Sequence, residues 1–110
     1  MITLKTLPLS VNRLYQGHRF LTQEGKYNKI GIATEMKYCK GFGKTLEGPI
    51  SLTVRFYMPN MRKDIDAGLK TLLDCGTGIL WSDDRQITQL HVFKELSKEN
   101  PRVELELSSL

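Results

Sequence analysis

The sequence predicts an α+β (mixed α/β) fold, in which helices pack on one mixed β-sheet within a single domain. Three observations support this prediction. Segments 51–58 and 102–110 alternate apolar and polar residues, which is typical of strands with one buried face. Segments 22–39 and 66–75 place apolar residues at helical spacings. A chain of 110 residues suits one hydrophobic core, so we assign residues 1–110 to one domain.

The first half of the chain contains a predicted strand, a polar loop and a predicted helix. The strand is the opening segment 2–6, and the polar and basic stretch 8–20 indicates a loop. Thr22 is the predicted N-cap of the helix, because its hydroxyl oxygen can accept a hydrogen bond from a free backbone N–H of the first turn. Glu24 in that turn suits the positive end of the helix dipole. The glycine-rich stretch 40–49 then forms a connection.

The second half contains three predicted strands and one helix. The first strand, 51–58, is expected to bury one side of the chain. That side carries Leu52, Val54, Phe56 and Met58. A helix follows from about Asp66 to Cys75, and Gly76 ends it. Segments 86–96 and 102–110 are the remaining predicted strands, so the order is β-α-β-α-β-β.

Composition limits the class of protein but does not fix its partner. The formal net charge is +4, which permits a polyanionic partner without requiring one. No apolar run approaches the roughly 20 residues that span a bilayer, so we expect no membrane partner and a cytoplasmic location. Cys39 and Cys75 lack the paired spacing of a zinc site, and both are predicted to be small buried hydrophobes.

The stretch "RKDIDAGLK", residues 62–70, concentrates charge where the second predicted helix begins. If the chain is extended there, Asp64 and Asp66 share one side, while Ile65 points the other way into the core. Asp66 is then a predicted N-cap. Lys70 lies four residues after Asp66, so it emerges on nearly the same helical face one turn later.

A second acidic pair, Asp83 and Asp84, stands directly before the next predicted strand. If that strand runs beside the helix start, one of these acids reaches Asp64 and Asp66, and three converging carboxylates repel unless a cation lies between them. Mg²⁺ prefers such hard oxygen ligands, and two ions about 4 Å apart can promote phosphodiester hydrolysis. Lys70 would add positive charge for the transition state. A simple helix cap explains the same spacing, so both interpretations stay open at this point.

The acidic motifs together resemble the signature of a known family. "RKDIDAGLKTLLD", followed further on by "ILWSDDRQI", is similar to the signature of the RusA-type Holliday-junction resolvases, and "LPLSVNRLY" resembles the opening segment of that family. The similarity covers essentially the whole chain. By this resemblance, Asp64, Asp66 and Asp84 match the family's catalytic, metal-binding aspartates. Lys70 matches its active-site lysine, whereas Ala67 stands where the family usually has asparagine.

The resemblance implies a RusA-like homodimer that needs Mg²⁺ or Mn²⁺ and no small-molecule cofactor. Its activity would be to nick two opposite strands of a four-way DNA junction, in recombination and repair, and a C2 dimer supplies two equivalent sites for two cuts. Arg62 and Lys63 lie beside the acids, where we predict that they hold the DNA backbone. Arg13, His18, Arg19 and Lys26 form a second predicted basic patch near the N terminus, in which Arg13 and Arg19 are predicted to bind DNA.

Two alternative functions remain open on the sequence. The first is a dimer that binds branched DNA without cutting it, and the departure from the family at Ala67 keeps this alternative open. The second is a protein-interaction domain whose acids only cap a helix. The net positive charge beside the acids argues against the second alternative.

Overall fold

The residues that the structure describes form two α-helices, one larger β-sheet and one small β-ribbon. The computed structural model describes residues 1–10, 13, 15–16, 20–41 and 43–110, with the backbone alone at 15, 16 and 20. The elements are β1 (Ile2–Leu4), β2 (Tyr15–Gln16), β3 (Phe20–Leu21), α1 (Gln23–Lys40), β4 (Ile50–Met58), α2 (Leu69–Gly76), a 3₁₀ helix (Asp84–Gln86), β5 (Ile87–Leu96) and β6 (Arg102–Ser109).

The larger sheet is mixed and has the strand order β1-β6-β4-β5. β4 runs parallel to β5 and antiparallel to β6, and β6 also pairs antiparallel with β1. Parallel neighbours need a crossover connection, and here the segment that contains α2 provides it. The predicted α+β fold with one mixed sheet is therefore confirmed. The ribbon of β2 and β3 falls in the stretch 8–20, which the sequence indicated as a loop, and ends one residue beyond it at Leu21.

One face of the larger sheet is buried beneath the helices. β4 alternates as predicted, and its side chains Leu52, Val54 and Phe56 lie in the core. Ile32 and Met36 of α1 are fully buried in the same core. Burial of each such side chain contributes about 1.5–3 kcal/mol, so this face holds the helices on the sheet.

Helix α1 begins and ends through identifiable hydrogen bonds. The Thr22 hydroxyl accepts a hydrogen bond from Gly25 N at 2.9 Å, which confirms the predicted N-cap. At the other end, Gly41 has a φ of 70°, which glycine adopts without strain, and its N–H donates to Lys37 O. In the described part of the chain, no helix is long and apolar enough to cross a membrane.

Segment 7–9 is held between the two helices. Asn28 of α1 donates from Nδ2 to Leu7 O at 2.8 Å and accepts from Leu9 N at 3.0 Å. Thr71 of α2 donates from Oγ1 to Leu9 O at 2.7 Å. Two helices that are distant in sequence are thus joined through one extended segment near the N terminus.

Helix α2 starts later than the sequence predicted. It begins at Leu69, and its N-cap is Gly68, which offers no side-chain hydrogen bond. The residues before it form turns instead, in which Ala67 N donates to Asp64 O at 3.0 Å and Leu69 N donates to Asp66 O at 3.1 Å. The prediction that Asp66 caps this helix is therefore wrong.

A tertiary contact between Gly68 and Pro8 explains the late start of α2. A Cβ added to Gly68 would lie 2.6 Å from Pro8 O, which is closer than real Cβ contacts. Only glycine lets segment 7–9 approach the chain this closely at the helix start. The path of residues 65–68 is thus decided by packing against a distant segment.

The two cysteines have different surroundings, and both are free thiols. Cys75 is buried in the core, as predicted. Cys39 is exposed, so the prediction that it is buried is wrong. It lies near the end of α1, beyond the buried Ile32 and Met36, with its Sγ 3.6 Å from Thr3 O.

Candidate active site

The predicted catalytic residues surround helix α2. Asp64 and Asp66 lie between β4 and α2, and Asp84 lies beyond α2 in the 3₁₀ helix. Lys70 is in the first turn of α2. One crossover unit, from β4 through α2 to β5, therefore carries all four residues.

A surface depression along α2 gathers three of the four, and we call it the α2 depression. It is lined by Asp66, Leu69, Lys70, Leu73, Asp74 and Asp84. Asp64 lines a neighbouring depression together with Pro8, Ala67 and Lys94. The structure thus brings Asp66, Lys70 and Asp84 to one surface and places Asp64 beside it.

Lys70 faces an acid that the sequence analysis did not single out. Its Nζ lies 3.8 Å from Asp74 Oδ1, one helical turn further on. The side chain of Lys70 is 73% exposed, and such surface pairs at i,i+4 contribute only about 0.3–0.5 kcal/mol. An anionic group can therefore draw the Lys70 ammonium away from Asp74 at little cost.

Asp84 is fixed by two hydrogen bonds to one of its oxygens. Trp81 Nε1 donates to Asp84 Oδ1 at 2.8 Å, and Thr77 Oγ1 donates to the same atom. Trp81 is fully buried, and its ring packs so closely on Gly76 that an added Cβ would lie 2.5 Å away. Sequence reasoning missed Trp81 in this role, although a buried indole N–H needs an acceptor and could have indicated it.

The neighbouring acid, Asp83, caps the 3₁₀ helix. Its Oδ1 accepts from Arg85 N at 2.9 Å, and its Oδ2 lies 3.0 Å from Arg85 Nη2. Hydrogen bonds from Arg85 hold the pKa of Asp83 below its ordinary value. Gln86 completes a capping box, with its Oε1 accepting from Asp83 N. Of the acidic pair, Asp83 therefore has a structural role, and Asp84 lines the α2 depression.

The segment that carries Arg62, Lys63 and Asp64 is anchored to β5. Lys94 Nζ donates to Lys63 O at 2.7 Å and to Met61 O at 3.5 Å. Arg62, Lys63 and Asp64 are exposed. Sequence reasoning missed Lys94. The signal for Lys94 would be a charged residue in β5 that pairs with a core-facing residue of β4.

Arg13 belongs to the second predicted basic patch and lies among the described residues. Its guanidinium pairs with Glu24 Oε1 at 2.5 Å, at the start of α1. The side chain of Arg13 is still 55% exposed. His18 and Arg19 lie outside the described residues. Binding of DNA by Arg13 would therefore compete with an internal ion pair.

The predicted acids imply a divalent cation, and their chemistry fits one. Within the described ranges, no three or more Asp, Glu, His or Cys side chains are grouped closely enough to hold a metal ion. Asp66 lies before α2, which has eight residues. Asp84 accepts a hydrogen bond from Thr77, which follows α2. Mg²⁺ usually takes only one or two carboxylates and completes its shell with water and substrate phosphates. Asp66 and Asp84 carry the carboxylate oxygens that Mg²⁺ prefers, and they lie at opposite ends of α2.

Acids, a lysine and flanking cations are groups with which metal-dependent nucleases act on phosphodiesters. The family model described as Endodeoxyribonuclease RusA matches residues 10–108. The chain therefore belongs to the RusA family of endodeoxyribonucleases, whose members act on branched DNA junctions. No curated protein matches the chain. The family membership that the sequence motifs predicted is confirmed.

Proposed function

We propose that this protein is a Mg²⁺-dependent, structure-selective endodeoxyribonuclease that resolves four-way DNA junctions by paired symmetric nicks. Mn²⁺ is the proposed substitute metal, recombination and repair are the proposed processes, and the cytoplasm is the proposed location. Family membership carries the proposal, because the matched residues 10–108 include all four predicted catalytic residues. The shared position of Asp66, Lys70 and Asp84 in the α2 depression supports it.

The carboxylates have the proposed role of metal ligands. Asp66 and Asp84 would hold the ion, with Asp64 contributing from the neighbouring depression. The bound ion would supply an activated water and positive charge at the phosphate. Trp81 and Thr77 keep the Asp84 carboxylate in one orientation, which lowers the cost of arranging the site when DNA binds.

The cations have the proposed role of binding phosphate groups. The Lys70 ammonium leaves Asp74 and stabilises the negative charge that develops on the cleaved phosphodiester. Arg62 and Lys63 hold the strand that carries the scissile bond. Arg13 and Arg19 contact the backbone further away. Such contacts position DNA without reading its bases.

A homodimer is the proposed assembly. A four-way junction has approximate two-fold symmetry, and two nicks on opposite strands require two equivalent sites. A C2 dimer supplies them, because each copy contributes one set of acids around its own α2. The two cuts are then made at matching positions on the junction.

The proposal is tested by incubating the protein with a synthetic four-way junction and with linear duplex, in Mg²⁺ and in EDTA. The neighbouring acids offer a matched pair of variants, Asp84→Asn and Asp83→Asn. We expect symmetric nicks in the junction alone, and we expect them to vanish in EDTA. Asp84→Asn should lower the nicking rate at least about 100-fold, as loss of one main catalytic group does, while Asp83→Asn keeps activity.

Other outcomes would favour the alternatives. Tight junction binding without nicks at any Mg²⁺ or Mn²⁺ concentration would identify a non-cleaving branched-DNA-binding dimer, for which the departure at Ala67 is the relevant observation. Failure to bind DNA even at low salt would leave the protein-interaction domain. Equal loss of nicking in Asp83→Asn and Asp84→Asn would contradict the separate roles of the two acids.

A further inference from the structure

Helix α1 carries its positive and negative charges on separate sides. At about 100° per residue, four lysines fall within about 80° of the helix circumference. They are Lys26, Lys29, Lys37 and Lys40, which we call the lysine side. The two acids of the helix, Glu24 and Glu35, lie at least about 120° of arc away from these lysines.

Both acids of α1 are engaged by other parts of the fold. Glu24 pairs with Arg13. Glu35 accepts hydrogen bonds from Lys5 N at 2.7 Å and from Thr6 N at 3.1 Å, so it holds the chain just after β1. Because these carboxylates serve contacts on another side of the helix, they do not neutralise the lysine side.

Lys26, Lys37 and Lys40 supply the positive charge of the lysine side on which the proposal depends. In the part of the chain that the structure describes, Lys26, Lys37 and Lys40 form no ion pair with an acid. Helix stability accounts for the presence of Lys37 and Lys40, because cations in the last turn of α1 suit the negative end of the helix dipole. It does not account for Lys26, which lies near the positive end.

A groove connects the lysine side with the candidate active site. One wall consists of Lys29, Ala33 and Lys37 of α1. The other wall includes Asp74 and Thr77, at the end of α2. Asp74 also lines the α2 depression, so the groove and the depression share a residue.

We propose that the lysine side of α1 binds the phosphate backbone of a duplex arm of the junction, away from the point of cleavage. This proposal rests on the proposed function, because it assigns a second contact to the same DNA. From Lys26 to Lys40 the helix rises about 21 Å, which matches about six base pairs of duplex. Lysine ammonium groups bind phosphates as point charges, so the contact is independent of base sequence.

Two double variants of the full chain test the proposal. Lys26→Gln with Lys37→Gln removes two charges from the lysine side, and Lys5→Gln with Lys98→Gln removes two exposed charges elsewhere. Glutamine forms helices about as well as lysine, and circular dichroism checks that α1 is retained. Binding to a fluorescent four-way junction with long arms is measured in EDTA at increasing salt concentrations.

The lysine-side pair should make the plot of log affinity against log salt shallower by about 3.6, because the proposed dimer loses four phosphate contacts and each lost contact removes about 0.9. The control pair should keep the slope of the parent. Equal slopes for the two pairs would overturn the proposal. If the parent binds the junction but never nicks it, the proposed function fails while the slopes still decide the role of the lysine side. If the parent binds no DNA, both proposals fail.

Discussion

At the scale of single residues, neighbours in the sequence have separate roles because their partners differ. Asp83 and Asp84 are adjacent, yet Asp83 pairs with Arg85, whereas Asp84 accepts hydrogen bonds from Trp81 and Thr77. A motif of two acids cannot show which of them lines the depression. The distinction depends on a 3₁₀ turn and on a buried ring, and both are properties of the folded chain.

Lys94 is the residue whose substitution best tests how Asp64 is positioned. Lys94→Met keeps the aliphatic stem but removes the donors to Lys63 O and Met61 O. We expect kcat for junction nicking to fall about 10-fold with little change in KM, because small displacements of catalytic groups slow the reaction. Steady-state kinetics on a labelled junction measures kcat and KM separately.

Lys98→Met is the control for Lys94→Met, since Lys98 is exposed in the turn before β6. It should leave kcat unchanged. A Lys94→Arg variant keeps a donor and should recover part of the rate. If Lys94→Met nicks as fast as the parent, Lys94 does not position the catalytic segment.

At the scale of elements, the start of α2 depends on how closely segment 7–9 approaches. Gly68→Ala places a Cβ 2.6 Å from Pro8 O, so we expect a loss of about 1–3 kcal/mol in the free energy of unfolding. Gly31→Ala is the matched control within α1. Its Cβ would meet Thr6 Oγ1 at 3.5 Å, an ordinary contact, so we expect a gain of about 0.5–1 kcal/mol.

Urea unfolding followed by Trp81 fluorescence measures both glycine variants, since Trp81 is the single tryptophan and is fully buried. The two changes should have opposite signs. Two stabilising changes would show that Pro8 can move away from Gly68 at no cost. In that case the contact would not determine where α2 begins.

The elements that the sequence predicted well are those with a long, regular pattern. β4 and β6 alternate over eight or more residues, and α1 has both its cap and its apolar side in the sequence. The start of α2 was misplaced, because a contact from Pro8 overrides the local tendency of Asp66 to cap a helix. The motif predicts the acids as site residues, whereas the hydrogen bonds of Trp81 and Lys94 depend on tertiary contacts.

At the scale of the whole molecule, the reactivity of one thiol reports on surface exposure, and the reactivity of the other reports on opening of the core. Cys39 is exposed and Cys75 is buried. Burial raises the pKa of the Cys75 thiol, so less of the reactive thiolate is present near neutral pH and its reaction shifts to higher pH. We expect a thiol reagent to label one site quickly and the second only as the core opens.

Single variants assign the two phases of thiol labelling. Cys75→Ser should keep only the fast phase, and Cys39→Ser should keep only the slow phase, which urea should accelerate. A chromogenic thiol reagent is used, and the absorbance of its released leaving group follows both reactions. Two equally fast phases in the parent protein would contradict a closed core around Cys75.

The strand order also has a consequence for how the protein is made. β6 lies between β4 and β1, and the first strand pairs with the last through Ile2 and Leu105. During synthesis, β1 emerges before β4, β5 and β6, yet its partner β6 follows all of these strands in the sequence. The sheet therefore cannot be completed before β6 has been made, and its completion joins two strands that are far apart in the sequence.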